Sequence, residues 1–218
     1  MEVADRATPK GARSRRELTE IAIDCFARYG YQGSSVDRIA RMAGVTKGAI
    51  YYHFRDKEDL LAAAVADRIE EFEGRVQRAC EDQRPDHALA SIAEVCIEHA
   101  RSNNHPRFAI TVMVESIETN AKVSEQLRGM MRRFRAFLRN MIVRGQEAGE
   151  FRADVDADAA AAGYTSAVLG AEIQFYQDPD RFVFEAAIHT FLDQLLTSLS
   201  PTGPDTGRDI CDGGPTAK

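Results

Sequence analysis

The sequence predicts an all-α protein, a small N-terminal unit of three helices followed by a larger helical remainder. Three observations carry that expectation. Apolar residues recur at three- and four-residue spacing along almost the whole chain, which is the helical period, and no stretch alternates apolar with polar long enough to make a strand. Hydroxyl side chains stand just before two short apolar runs, and glycines stand just after helical runs, as caps do. The 218 residues, 44% hydrophobic and 28% charged, suffice for one large domain or a small one plus a medium one, and exclude a disordered chain. No run reaches the roughly 18 uncharged apolar residues of a membrane span, and the first 20 residues lack the apolar stretch of a secretory signal, so the cytoplasm is the expected location.

A polar, basic arm at 1–12 precedes a helix at 13–29, whose Leu18, Ile21, Ala22, Cys25 and Phe26 share a face and which stops at Gly30. Ser35 caps a two-turn helix over Val36 to Ala43, closed by Gly44. Thr46 caps another from Lys47 to Phe54, ending at Arg55-Asp56. Two short helices joined by a Gly-containing turn are a helix-turn-helix signature. From Lys57 the pattern runs through Leu61, Val65, Ile69, Phe72 and Val76 until Pro85-Asp86 breaks it. Further helices are expected at about 87–102, 107–118, 121–148, 156–177 and 180–199, divided by Asn103 to Pro106, Gly149, Asp154 to Asp156 and Asp178-Pro179. The Gly- and Pro-rich end, 201–218, reads as a disordered tail.

Charge is uneven. Residues 1–60 carry 11 Lys/Arg against 9 Asp/Glu, and the remainder 17 against 25, within a net charge of −6. An anionic partner for the N-terminal unit fits that asymmetry; non-specific coating of nucleic acid does not. Cys25, Cys80, Cys96 and Cys211 form no CxxC pair and no cluster at metal-ligand spacing, so free thiols and no metal are expected.

A helix that reads the major groove places its N-terminal residues on base edges, offers small residues where backbone meets DNA and holds phosphates at its ends. Residues 46–57 supply these parts in order. Thr46 stands at the helix N-terminus, where exposed N–H groups and the dipole favour a phosphate. Lys47 is the candidate for a guanine edge, and Gly48 and Ala49 permit close approach. Tyr51 and Tyr52 offer hydroxyls to phosphates or rings to a thymine methyl, while His53 and Lys57 would hold the backbone at the far end. Ile50 and Phe54 read as core.

The stretch GYQGSSVDRIARMAGVTKGAIYYHFRDKEDLL resembles the N-terminal domain of the TetR/AcrR family of bacterial transcriptional regulators. The likeness covers Arg16 to Leu61 and lies in the Gly30-Tyr31 step, the turn from Ile39-Ala40 to Ala43-Gly44-Val45, the Tyr51 to Phe54 run and the helix start at Lys57-Glu58. It implies DNA contacts from Lys47, Gly48, Tyr51, Tyr52, His53 and Lys57, with Ser35 and Val36 at the start of the preceding helix. Asp37 departs from the pattern, an acidic residue near the phosphate path that complements the dipole of its own helix. The resemblance further implies a domain organisation of 13–57 for DNA and 58–200 for effector binding and homodimerisation.

In 121–148, Leu127, Met130, Met131, Phe134, Phe137, Leu138, Met141 and Ile142 occupy one arc, with Arg128, Arg132, Arg135 and Arg139 in a stripe at its edge. The arc suits a core or a pocket for irregular apolar ligands, and the stripe suits a solvated face or the phosphates of a coenzyme A thioester. Cys96 and His99 on one helix, with Met113, Glu115 and Glu118 of the next, are candidates to line a cavity with Met130, Phe134 and Phe137. Small residues at helical spacing, among them Gly163, Ala167 and Gly170, together with Phe191, Leu192 and Leu195 of the following helix, are candidates for a four-helix dimer interface.

The expected function is a homodimeric repressor that binds palindromic double-stranded operator DNA and releases it when an apolar, drug-like or acyl-CoA effector enters the second domain. An activator of the same family and an architectural DNA-binding protein without ligand control are the alternatives. No Ser/His/Asp order, HExxH, phosphate loop or GxGxxG is present, so neither catalysis nor a cofactor is expected.

Overall fold

The computed structural model describes residues 13–102, 112–113 and 121–201. Within them lie eight helices and no strand: α1 (Arg15–Gly33), α2 (Val36–Ala43), α3 (Lys47–His53), α4 (Lys57–Ala79), α5 (Pro85–Ser102), α6 (Ala121–Glu147), α7 (Ala157–Gln177) and α8 (Phe184–Leu199). The expected arm at 1–12, the break at Asn103 to Pro106, most of the helix at 107–118 with Glu115 and Glu118, Cys211 and the tail beyond Pro201 lie outside the described residues.

Local chemistry sets the helix ends. Ser14 and Glu17 form a reciprocal capping box at α1, Ser35 accepts from the Arg38 N–H at α2, and Thr46 accepts from the Ala49 N–H at α3. Gly44 closes α2 at φ 66°, a left-handed conformation that costs a residue with a Cβ about 1–2 kcal/mol. Gly30 interrupts α1 at φ 69°, so the first helix stops where expected, but one further helical turn runs on to Gly33. Ser34 holds that turn, its hydroxyl donating to the Gly30 carbonyl at 2.7 Å.

Two boundaries differ from the sequence expectation, each for its own reason. Pro85 opens α5 instead of only breaking α4, because proline lacks the N–H that a first helical residue leaves unpaired; α4 itself ends at Ala79. The last helix begins at Phe184, four residues later than expected, after a turn in which Asp178 accepts from the Arg181 and Phe182 N–H groups.

Two cores divide the molecule, and α4 belongs to both. Leu18, Ile23, Phe26, Ile39, Ile50 and Phe54 pack with the N-terminal half of α4, Leu60 to Ile69, and with Val112, Val123 and Leu127. Val76 starts the second core, which α5, α6, α7 and α8 complete with Leu89, Ile92, Leu138, Ile142, Tyr164 and Ile188. Polar ties reinforce the junction: Thr19 donates to Asp67 at 2.6 Å, Arg68 pairs with Glu20 at 2.7 Å, and Lys122 at the start of α6 reaches Asp59 at 2.8 Å. Hydrogen bonding by Lys122 and the Arg55 backbone holds Asp59 down at a pKa of about 2.

Candidate functional site

Helix α3 presents its expected residues outward. Thr46, Lys47 and Gly48 are exposed, as is Ser35, and Tyr51 and Tyr52 show 46% and 85% of their surface. Ala49 and His53 are half-buried, with the His53 ring edge-on to Tyr52 at 5.0 Å. Ile50 and Phe54 are buried, as their place in the apolar pattern requires.

Three residues of this surface are engaged within their own chain. Val36 is 7% exposed and packs in the N-terminal core, so its side chain cannot reach DNA; what the α2 start offers is its N–H groups and the Ser35 hydroxyl. Lys57 donates from Nζ to the Tyr31 and Ser34 carbonyls at 2.9 and 3.1 Å and lies over the Tyr31 ring. Its structural duty is to tie the start of α4 to the end of α1. Lys47 pairs with Asp37 at 3.1 Å, so the acidic residue that departs from the family pattern holds the lysine best placed for a base edge. That hydrogen bond, with the Asp37 charge, raises the Lys47 pKa. Arg41 on α2, absent from the sequence candidates, is exposed and has no hydrogen-bond or ion-pair partner among the described residues.

A cavity of about 100 Å³ lies where α4, α5, α6 and α7 meet. Of the eight expected lining residues, Glu115 and Glu118 lie outside the described residues, and five of the other six converge on it: Cys96 and His99 from α5, Met113, and Met130 and Phe134 from α6. Phe137 does not; it lies one helical turn on and packs against the second core. The sequence reading missed Arg68 and Phe72 of α4, and Thr165 and Glu172 of α7. Phe72 stands edge-on to His99 at 5.2 Å and 5.8 Å from the Phe134 ring, forming an aromatic wall.

The polar groups of this wall are few and unequal. Burial keeps His99 below its ordinary pKa, hence neutral, with Arg75 adding to the effect. Burial alone lifts the Glu172 carboxyl to about 7. Arg68 is bound by Glu20 and Glu71 at 2.7 Å each, yet its Nε–H is buried and has no partner. Cys96 is a buried free thiol whose pKa desolvation pushes far up, so it is inert. Among the described residues no group of three His, Cys, Asp or Glu is placed to hold a metal.

The arginine stripe lies away from the cavity. Arg128 and Arg132 both reach Glu125, at 2.9 and 2.6 Å, and Arg139 reaches Asp158 at 3.1 Å. The candidate dimer residues divide by helix. Gly163 of α7 is exposed, Ala167 and Gly170 are half-buried, and a Cβ at either glycine would meet nothing within 4 Å, so this face stands open. From α8, Leu192 is 6% exposed and faces its own chain's core, Phe191 stacks edge-on against Tyr164 at 5.9 Å, and Leu195 is partly buried against the same core. An apolar face on α8 therefore serves first to bind α8 to α7 and α5.

The capped helix pair with its outward Tyr51 and Tyr52 matches a known family along residues 18–64, "Bacterial regulatory proteins, tetR family". Residues 85–200 match a second description, "BetI-type transcriptional repressor, C-terminal". The chain belongs to the TetR family. Among its relatives, the fatty acid metabolism regulator protein of Bacillus subtilis is 25% identical over 142 residues, 64% of this chain and 72% of the relative. Other curated relatives match through the N-terminal unit: the repressor AcnR of Corynebacterium glutamicum is 46% identical over 57 residues, 26% of this chain and 30% of its own length. Two solved TetR-like structures share the fold. FadR of Bacillus subtilis, in complex with stearoyl-CoA, superposes with a TM-score of 0.74 at 20% identity, covering 85% of this chain and all of that one. SmeT, the repressor of the Stenotrophomonas maltophilia efflux pump SmeDEF, gives 0.74 at 24% identity over 88% of this chain and 92% of its own.

Proposed function

We propose that this TetR-family regulator is a cytoplasmic homodimeric repressor that grips a palindromic operator with two copies of α3 and lets go when a small apolar molecule fills the cavity. One observation carries the reading: a single helix, α4, forms part of the cavity wall and part of the core that supports the reading helix. Val65, Arg68, Ile69 and Phe72 face the cavity, while Leu60, Leu61 and Val65 support α1 and α3. Arg68 spans both, since its guanidinium pairs with Glu20 on α1.

The coupling is a linkage between two states. An effector that prefers the cavity with α4 displaced drags the start of α4, which Lys57 ties to Tyr31 and Ser34, and thereby changes the separation of the two reading helices. A preference of about 2–3 kcal/mol weakens operator binding roughly 30- to 150-fold. The open stripe of Gly163, Ala167 and Gly170 supports α7 as the helix that meets its symmetry mate. The acyl-CoA-bound FadR and the efflux-pump repressor SmeT supply the two effector classes to test. The paired arginines of the stripe favour a ligand held by the cavity alone over one whose phosphates need that surface.

The test is fluorescence anisotropy at fixed salt with DNA from immediately upstream of the gene against scrambled DNA, followed by titration with an acyl-CoA mixture and, separately, a panel of hydrophobic drugs. Specific binding reversed by one of them supports the reading. Specific binding that neither reverses, or no preference for upstream DNA, counts against it.

A further inference from the structure

We propose that Asp37 is a specificity-determining residue for DNA, one that keeps the Lys47 ammonium directed at a base edge and withholds it from the phosphates of DNA that lacks the operator base. This rests on the reading of α3 as the helix that contacts the operator. Asp37 lies in the first turn of α2 and Lys47 is the first residue of α3, and the Nζ–Oδ2 contact at 3.1 Å bridges the two helices. Both side chains are exposed, and among the described residues neither has another hydrogen bond or ion pair. Asp37 is not needed to cap its helix, because the Ser35 hydroxyl already accepts from the Arg38 N–H. An exposed pair of this kind adds little to the stability of the fold. What it does is fix where the one cation in the first turn of α3 points.

The surrounding charges divide their duties. Acids elsewhere in the N-terminal unit are used away from α3: Glu17 in the α1 capping box, Glu20 on Arg68, Asp24 on Arg28, Asp56 at the α4 cap and Asp59 on Lys122. Among the described residues Asp37 alone pairs with a residue of α3. Of the α2 cations, Arg38 donates to the Gly33 carbonyl at 2.9 Å and lies over the Tyr29 ring, whereas Arg41 is exposed, has no hydrogen-bond or ion-pair partner among the described residues, and is free to meet a phosphate. Lys47 is the cation held back. An ammonium carries three donors. With one directed at Asp37, two remain, and the O6 and N7 acceptors of guanine take two. A guanine contact therefore forms with the ion pair intact. A phosphate contact does not, because Lys47 reaches it either by leaving Asp37 or by bringing the carboxylate toward a like charge. Both routes weaken the complex with other DNA and spare the complex with the operator.

The test is a double-mutant cycle of Asp37→Asn and Lys47→Ala in the full chain, with anisotropy on upstream and scrambled duplexes across a series of salt concentrations. In Asp37→Asn, scrambled DNA should bind about fivefold more tightly and upstream DNA no more than about twofold, so the preference for upstream DNA falls. The released lysine should also steepen the salt dependence on scrambled DNA by about one unit of slope per reading helix, and leave the slope on upstream DNA unchanged. In the Lys47→Ala background the same Asp37→Asn change should move both duplexes alike. Equal tightening on both duplexes with Lys47 present, or none on either, overturns the proposal. So does a shift in preference that persists without Lys47, since Asp37 would then act as a charge alone. A wild type that binds upstream and scrambled DNA equally removes the reading of α3 beneath this proposal, and the proposal with it.

Discussion

Replacing Glu172 by glutamine should stabilise the protein, and only on the alkaline side. Burial raises the folded-state pKa of Glu172 to about 7 from an ordinary value of 4.5. A raised acid pKa means that folding opposes ionisation. The penalty is absent below about pH 4.5, grows between there and pH 7 as the unfolded chain ionises and the folded one does not, and is complete above 7. At 1.36 kcal/mol per pKa unit it amounts to roughly 3 kcal/mol at most, worth on the order of 6–12 °C in Tm for a chain of this size. Glutamine has nearly the shape of the protonated acid and never ionises, so the two proteins should be nearly equal at pH 5 and diverge at pH 8. Urea unfolding followed by circular dichroism, at one fixed protein concentration, measures this directly. Parallel stability profiles from pH 5 to 8 would refute the claim that Glu172 is a desolvated, unpartnered carboxyl.

Three further outcomes follow from the site geometry. Asp37→Asn frees Lys47 from an exposed ion pair and removes a negative charge beside α3, so duplex binding by anisotropy should tighten roughly two- to fivefold; unchanged or weaker binding would mean that Asp37 does not restrain Lys47. Lys57→Met cuts two hydrogen bonds to carbonyls and should destabilise the N-terminal unit by about 1–3 kcal/mol in chemical denaturation. A phosphate-gripping lysine would instead lower the salt slope of DNA binding by about one per site without touching stability. Gly145→Ala places a Cβ in the Phe151 ring and should lower stability by about 1–3 kcal/mol in the same assay, leaving DNA affinity per folded molecule unchanged.

What the sequence made legible was local. Ser35, Thr46 and Gly44 announce their helix ends because a cap needs a particular side chain or a particular φ, and both are written in residue type. The outward face of α3 was legible for the same reason, since a seven-residue helix that buries Ile50 and caps on Phe54 must expose Tyr51 and Tyr52. The cavity was legible in half. Cys96, His99, Met130 and Phe134 lie on apolar arcs that have to face inward, and facing inward brought them together. Phe137 sits on the same arc one turn on, and periodicity cannot say where along a helix a packed arc gives way to a void. Leu192 likewise shares its face with Phe191 and Leu195, and whether an apolar face meets its own chain or a second copy depends on tertiary contacts. Glu172 carried a readable signal, the one charge of its helix after Asp158 in the first turn, but pattern matching for DNA contacts and apolar arcs passes over a single carboxylate.

The central claim is that α3 reads specific DNA, and Lys47→Ala tests it most directly. Anisotropy at fixed salt with upstream and scrambled duplexes, alongside sedimentation to confirm the dimer, compares the variant with the wild type. One base-edge contact is worth about 1–3 kcal/mol, so losing it from both subunits should cost roughly 30-fold or more on upstream DNA, with the dimer intact and weak binding to scrambled DNA little changed. An equal loss on both duplexes would make Lys47 a phosphate contact, and a variant that binds upstream DNA like the wild type would contradict the account.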